Sequence, residues 1–213
     1  MTIFKAFPYF NIVQSKVFDD VFYTDKPLVV CAPTGAGKTV IFELAVVRLI
    51  MKMENVVVRG FKIVYMAPIK ALCSERLQDW TDKFESFGLK CKELTGDTEI
   101  DNYYELQEVN VILTTPEKWD SLTRRWRDNK YIVQSVCLFL IDEIHVLNDN
   151  VRGATIEAVI SRMKTVQVSL SHSNTEQPLP KLRFIAVSAT IPNIEDIAEW
   201  MGENHQAATF YVF

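Results

Sequence analysis

Leu28-Val29-Val30-Cys31-Ala32-Pro33-Thr34-Gly35-Ala36-Gly37-Lys38-Thr39 decides how the rest of this 213-residue chain is read. Its first four residues predict a short apolar strand, its glycines a turn, and Lys38-Thr39 the opening of an apolar helix expected from about Val40 to Met51. Strand, glycine-bearing turn and helix in that order are what a phosphate-binding P-loop requires. Gly35 and Gly37 admit backbone angles that aim successive N–H groups at one anion, and the helix N-terminus adds its partial positive charge there. Thr34, Gly35, Ala36 and Gly37 would line a triphosphate, Lys38 would reach its outer phosphates, and the Thr39 hydroxyl would ligate Mg²⁺. The general pattern G-x-x-x-x-G-K-[ST] has Gly where this chain has Ala32. The competing reading is a chance Gly-Lys-Thr in an ordinary strand-to-helix turn, and the flanking strand and helix weigh against it. A kinase, a GTPase and a motor all remain open on this stretch alone.

Charged residues make up 23% and hydrophobic ones 48%, a balance that suits a soluble globular chain rather than a disordered or fibrous one. At this length a single domain over 1–213 is expected. No apolar run spans a bilayer, and Met1-Thr2-Ile3-Phe4-Lys5 lacks the apolar core of a signal peptide, so an intracellular chain with no membrane partner is expected. Cys31, Cys73, Cys91 and Cys137 show no C-x-x-C spacing and read as reduced, structural thiols rather than zinc ligands. A net charge of −4 gives no whole-chain basic footprint for nucleic acid, although such binding depends on local patches.

Ahead of the P-loop, Phe7 to Phe18 is an aromatic-rich lead into a helix, with Asn11 placed as its N-cap. The Gln14 amide carries both a donor and an acceptor, as an adenine edge requires, and Phe7 or Phe10 could stack on the base; a plain surface glutamine fits the same position. Beyond a break at residues 54–60, Lys62 to Pro68 reads as a strand. Leu77, Trp80, Phe84 and Phe87 then recur at helical spacing, an apolar stripe that packs on a sheet. A short strand at Lys90 to Leu94 runs into Thr95-Gly96-Asp97, and a polar loop with short helix is expected to about Gln107. Val109 to Thr114 is a strand closed by Thr115-Pro116, with Pro116 at the first position of the next helix.

Trp119, Arg124, Arg125, Trp126, Arg127 and Lys130 form the densest basic and aromatic cluster. It reads either as phosphate contacts or as a solvated helix face over tucked tryptophans. Val136 to Ile141 is a nearly continuous apolar run, hence a central strand buried on both faces. Ile156, Val159, Ile160 and Met163 mark a helix, and residues 169–181 a flexible loop. Leu182 to Val187 reads as a strand ending in Ser188-Ala189-Thr190, Ile194 to Met201 as a short helix, and Thr209 to Phe213 as a last strand. Strands alternating with helices predict an α/β fold with a mostly parallel central sheet and helices on both faces.

In such a sheet, ligand groups gather at the carboxyl ends of the strands. Four polar clusters fall there: the P-loop, Thr114-Thr115, Asp142-Glu143 and Ser188 to Thr190. Asp142 is placed to hold Mg²⁺ through water opposite Thr39, and Glu143 to orient and polarise an attacking water. A surface Asp-Glu pair capping a helix is the bland alternative.

Ala32 to Thr39 (APTGAGKT), Ala67 to Leu72 (APIKAL), Thr95 to Asp97 (TGD), Thr114 to Asp120 (TTPEKWD), Asp142 to His145 (DEIH) and Ser188 to Thr190 (SAT) occur in that order. Together they resemble the first RecA-like P-loop NTPase domain of superfamily-two DExH helicases, in wording closest to the Ski-two-like branch. Lys62 to Arg76 and Lys92 to Thr98 are similar to the DNA helicases of meiotic crossing over. Helicases of this family commonly carry Ala at the position of Ala32. The resemblance implies ATP and Mg²⁺ as cofactors, with Gln14 reading adenine and Lys38 and Thr39 on phosphate and metal. It implies that Asp142 and Glu143 serve metal and water, and that His145, Ser188 and Thr190 couple the ATP site to strand movement. Pro68, Lys70, Gly96, Thr115 and Pro116 would lie along a nucleic-acid backbone without reading sequence. Single-stranded or branched DNA, 3′-to-5′ movement, meiotic recombination and a nuclear location follow from the same likeness.

No Gln-x-x-Gly-Arg-x-x-Arg-like segment occurs, so the arginine fingers that the family takes from a second RecA-like domain are expected from elsewhere in a full-length chain. Such a finger is worth roughly 10³–10⁵ in rate in related NTPases. These 213 residues alone are therefore expected to bind ATP weakly, hydrolyse it negligibly and not unwind. Two other functions compete: an RNA helicase or RNP remodeller of the same branch, since backbone contacts do not separate the sugars, and a non-catalytic nucleotide-dependent interaction module.

Overall fold

Apolar runs of four to six residues, each followed by a helix-forming segment, build parallel strands joined by helical crossovers. The computed structural model describes residues 9–54, 60–96, 105–128, 130–171, 181–203 and 205–213, and the statements below concern those. In chain order the elements are α1 (Ile12–Tyr23), β1 (Leu28–Cys31), α2 (Lys38–Met53), β2 (Lys62–Met66), α3 (Lys70–Glu85), β3 (Cys91–Leu94) and β4 (Val111–Thr114). There follow α4 (Pro116–Arg124), α5 (Lys130–Gln134), β5 (Val136–Ile141), α6 (Gly153–Ser171), β6 (Arg183–Ser188), α7 (Ile194–Met201) and β7 (Thr209–Val212). The seven strands form one sheet in the order β3-β4-β2-β5-β6-β1-β7, and every pairing is parallel.

Alternation along each strand divides the core in two. Leu28, Val30, Ile63, Tyr65 and Leu140 face the layer of α1, α2 and α3, whose contributions include Val17, Phe42, Cys73, Trp80 and Phe84. Val29, Val64, Met66, Phe139 and Phe184 face α4 to α7, with Trp119, Ile156, Val159, Ile160 and Met201. Trp80 and Phe84 are fully buried as their spacing predicts, with Leu77 and Phe87 packed at the margin. No described helix is long and apolar enough to cross a membrane.

Two buried charges shape the frame. Glu43 of α2 accepts from Trp80 Nε1 (3.2 Å) and from Lys83 Nζ (2.7 Å) of α3, which fixes those two helices against each other; burial still pushes its carboxyl above the usual range. Arg183 of β6 donates to the carbonyls of Asp20 (2.8 Å), Val21 (2.7 Å) and Lys26 (2.9 Å), so a cation caps the C-terminal end of α1. Tyr211 of β7 adds a 2.6 Å bond to Asp20 Oδ2. Helix α1 is thereby held at one end while its other end meets the P-loop.

Several boundaries differ from the sequence expectations. Helix α2 starts at Lys38 and ends at Met53, not Val40 to Met51, because Gly37 in a left-handed conformation (φ 73°) is itself the cap. Strand β2 stops at Met66, β4 starts at Val111 rather than Val109, and β6 runs Arg183–Ser188. Helix α6 continues through Ser171, into the segment expected to be loop, and residues 172–180 lie outside the described residues, as do Asp97 and Phe7. In the basic and aromatic cluster, Trp119 is buried edge-on to Phe139, Arg124 pairs with Asp120, and Arg127 lies over Trp126. Trp119 is thus tucked under this face and Trp126 half-buried, with Arg124, Arg125 and Arg127 on its exposed side.

Candidate functional site

Beyond β1 the chain turns through Pro33 and Ala36, whose N–H donates to the Pro33 carbonyl at 3.1 Å, and enters α2. Gly35 (φ 81°) and Gly37 (φ 73°) both take backbone angles that side-chain-bearing residues rarely adopt. Ala32 keeps a negative φ and is fully buried, so glycine is not required at that position. The first amides of α2, those of Lys38 and Thr39, have no acceptor a turn earlier in the helix and point out of its N-terminus. Lys38 Nζ lies within the loop, donating to the carbonyls of Ala32 (2.8 Å) and Pro33 (3.2 Å). Thr34 is exposed and Thr39 half-buried on the first turn of the helix.

Gln14 reaches this loop from α1. Asn11 Oδ1 accepts from the Gln14 N–H (2.9 Å) while Gln14 Oε1 accepts from the Asn11 N–H (3.0 Å), a reciprocal capping box. Gln14 Nε2 then donates to the Gly37 carbonyl (3.3 Å) and Asn11 Nδ2 to that of Ala36 (2.9 Å). The glutamine is 5% exposed, so it is not the surface residue of the alternative reading. The amide nitrogens of Gln14 and Asn11 together dock α1 onto the P-loop.

Strand β5 delivers Asp142 beside β2, with the Asp142 N–H bonded to the Met66 carbonyl at 2.9 Å. Asp142 Oδ2 accepts from the Tyr65 hydroxyl (2.6 Å) and Oδ1 from the Glu143 N–H (3.0 Å). Burial pushes the Asp142 carboxyl above the usual range, partly offset by the Tyr65 bond. Glu143 sits at φ 54°, ψ 49°, left-handed for a residue with a side chain, which costs about 1–3 kcal/mol. Such outliers persist where the surroundings over-determine them. Here the carboxylate is 3.1 Å from His145 Nδ1 and 3.5 Å from Ser188 Oγ.

His145 Nδ1 and Ser188 Oγ are 2.8 Å apart, and Ser188 can also donate to the Thr190 carbonyl (3.2 Å). With its proton on Nδ1, His145 donates to the serine, whose own hydrogen is shared between Glu143 and Thr190. The Ala32 N–H bonds to the Ser188 carbonyl at 3.0 Å, which ties the start of the P-loop to the same serine. P-loop, Asp142-Glu143 and Ser188 to Thr190 thus leave three contiguous strands, β1, β6 and β5.

The remaining predicted residues leave three further contiguous strands, β2, β4 and β3. Met66 and Leu94 are both in register with Thr114, so the loops bearing Pro68 and Lys70, Gly96, and Thr115 and Pro116 stand at one level. Lys70 and Gly96 are exposed and Thr115 half-buried, while the Pro116 ring is buried and starts α4. Arg152, which the sequence reading did not single out, donates to the Pro68 carbonyl at 3.2 Å and stands 3.9 Å from Glu117. It therefore bridges two of these loops. Tyr65 was likewise missed, because a tyrosine inside an apolar strand carries no signal of what its hydroxyl meets.

A model of the DEAD/DEAH box helicase family matches residues 11–197. The chain is 60% identical over 208 residues to the probable ATP-dependent DNA helicase HFM1 of Homo sapiens, covering 97% of this chain and 14% of that protein. It is 41% identical over 204 residues to the ATP-dependent DNA helicase MER3 of Saccharomyces cerevisiae, covering 96% of this chain and 16% of that one. A crystal structure of the DUF1998 helicase MrfA bound to DNA superposes with a TM-score of 0.75 over 99% of this chain and 28% of the other, at 22% identity. That last likeness concerns the fold. The chain spans about one sixth or less of the length of these two curated relatives.

Proposed function

We propose that this chain, which belongs to the DEAD/DEAH box helicase family, is the ATP-binding half of an ATP-dependent DNA helicase motor. ATP is held on the P-loop, with Lys38 exchanging the Ala32 and Pro33 carbonyls for outer phosphate oxygens. Thr39 and Asp142 offer a hydroxyl and a carboxylate, the hard oxygen donors that fit Mg²⁺. Mg²⁺ held by these two residues would supply positive charge against the charge that develops on the phosphates. Glu143 orients and polarises the attacking water, held in its strained conformation by His145 and Ser188. Gln14 reads adenine, exchanging its bond to the Gly37 carbonyl for the base.

The single observation that carries this reading is the Glu143–His145–Ser188 contact, which joins the carboxylate beside Asp142 to the strand that anchors the P-loop. Through it, His145, Ser188 and Thr190 couple nucleotide state to the other half of the sheet. There Pro68, Lys70, Gly96, Thr115 and the turn set by Pro116 follow the backbone of single-stranded or branched DNA. A second RecA-like domain supplies the arginine fingers, so the 213 residues alone bind ATP weakly and turn it over negligibly. The relatives' names support action on DNA, and a nuclear role in meiotic recombination rests on the likeness of the sequence motifs.

The test is steady-state ATP turnover by the full-length protein with single-stranded DNA. Glu143→Gln should abolish turnover and keep ATP binding, and Lys38→Ala should lose both. Robust turnover by the 213-residue chain, lost in Lys38→Ala, would overturn the need for a second domain. Competition between matched DNA and RNA strands decides the sugar: tighter binding of RNA would replace the DNA assignment with an RNA one.

A further inference from the structure

Tyr65 is fully buried in β2, its ring set edge-on to Trp80 (centroids 5.3 Å apart) and to Phe42 of the P-loop helix (5.9 Å). Packing accounts for the ring. It does not account for the hydroxyl, which leaves the apolar layer and meets Asp142 Oδ2 at 2.6 Å, the short distance of a hydroxyl on a charged acceptor. The second carboxylate oxygen accepts from the Glu143 N–H at 3.0 Å. Each oxygen of Asp142 therefore has its own protein donor, and two such bonds fix the plane of a carboxylate that one bond would leave free to rotate.

The position of this bond in the sheet is particular. Strands β3, β4 and β2 carry the predicted nucleic-acid loops, strands β5, β6 and β1 carry the ATP groups, and β2 and β5 are the neighbours at the seam. Tyr65 stands on the nucleic-acid side of that seam, three residues before Pro68, and its hydroxyl crosses to the ATP side. Arg76 of α3 lies over the Trp80 ring and pairs with Asp79 at 3.3 Å. The tyrosine ring is held between Trp80 of α3 and Phe42 of α2, and that packing presents its hydroxyl to Asp142.

We infer that Tyr65 is a positioning residue for Asp142, its hydroxyl holding the carboxylate in the orientation in which it serves the metal of bound Mg·ATP. The inference rests on the metal role given to Asp142 above, and the test separates the two. In the full-length protein, binding of a fluorescent ATP analogue is titrated with Mg²⁺ and repeated in EDTA. Tyr65→Phe keeps the ring and removes only the hydroxyl. It should need about tenfold more Mg²⁺ for half-saturation, the scale of one hydrogen bond to a charged group, with affinity in EDTA unchanged. Asp142→Asn should raise the Mg²⁺ requirement at least as far. A Tyr65→Phe titration that overlays the parent while Asp142→Asn is shifted overturns the role of Tyr65 alone. Overlay of both variants removes the metal role of Asp142, and that of Tyr65 with it. Loss of affinity by Tyr65→Phe in EDTA as well would show a packing defect, and would equally overturn the inference.

Discussion

Gly37 makes two demands on the P-loop that a pair of alanine substitutions separates. At φ 73° an added Cβ incurs the left-handed penalty, and it would also lie 2.4 Å from Gln14 Nε2. Gly35, at φ 81°, has nothing within 4 Å of an added Cβ, so Gly35→Ala meets the backbone penalty alone. That penalty is about 1–2 kcal/mol. In Gly37→Ala, Gln14 must also swing away, which breaks its 3.3 Å bond to the Gly37 carbonyl and disturbs its half of the capping box with Asn11. Loss of a cap costs typically about 1 kcal/mol, and loss of a hydrogen bond a similar amount. Gly37→Ala should therefore destabilise by about 2–4 kcal/mol against about 1–2 for Gly35→Ala. At about 2–4 °C per kcal/mol for a chain of this size, Gly37→Ala should melt some degrees below Gly35→Ala. Circular-dichroism melts of both, and of each combined with Gln14→Ala, read the effect. In the Gln14→Ala background the difference between the two glycine sites should collapse, a coupling of about 1–2 kcal/mol. Equal melting temperatures for the single variants, or additivity with Gln14→Ala, would refute the claim that α1 docks on the P-loop through this glutamine.

Lys62 is fully buried against the carbonyls of Leu106 (2.6 Å) and Val109 (2.7 Å), and burial lowers it from an ordinary 10.5 to about 8. Between those values the unfolded chain holds more protons than the folded one, so this group adds stability as pH rises from about 8 to 10.5 and loses it as pH falls back. Denaturant unfolding of the parent relative to Lys62→Met should show that rise; a pH-independent difference would contradict it. Ser188→Ala removes the hydroxyl between His145 and Glu143, and should lower DNA-stimulated ATP turnover by about tenfold while ATP binding holds, as steady-state and binding assays on the full-length protein would show. Arg152→Ala frees the Pro68 loop and should weaken single-stranded DNA binding up to about tenfold, alike across sequences, in anisotropy titrations at fixed salt; a sequence-dependent loss would contradict a backbone role.

What could be read from the sequence, and what could not, divides along a physical line. The P-loop, Asp142-Glu143 and Ser188 to Thr190 were legible because each needs particular residue types in a fixed order at a strand end. Buried strands such as Val136–Ile141 were legible from unbroken apolar runs. Meetings between non-consecutive strands were not. Tyr65 and Asp142 are 77 positions apart and touch because β2 and β5 are neighbours, a fact fixed by crossover order rather than by local pattern. Arg152 and Pro68 meet in the same way across 84 positions. Gln14 was found for the chemistry of its amide, while its role as half of a capping box needed the geometry of Asn11. Glu43 was missed because a charge inside an apolar helix looks solvent-facing until its partners on α3 are placed.

A structure of the chain with Mg²⁺ and a non-hydrolysable ATP analogue tests the central claim most directly. The triphosphate should lie on the N-terminus of α2, with Lys38 Nζ moved from the Ala32 and Pro33 carbonyls to phosphate oxygens and Mg²⁺ held by Thr39 and Asp142. Nucleotide bound elsewhere on the molecule, with Lys38 still on those two carbonyls, would contradict it.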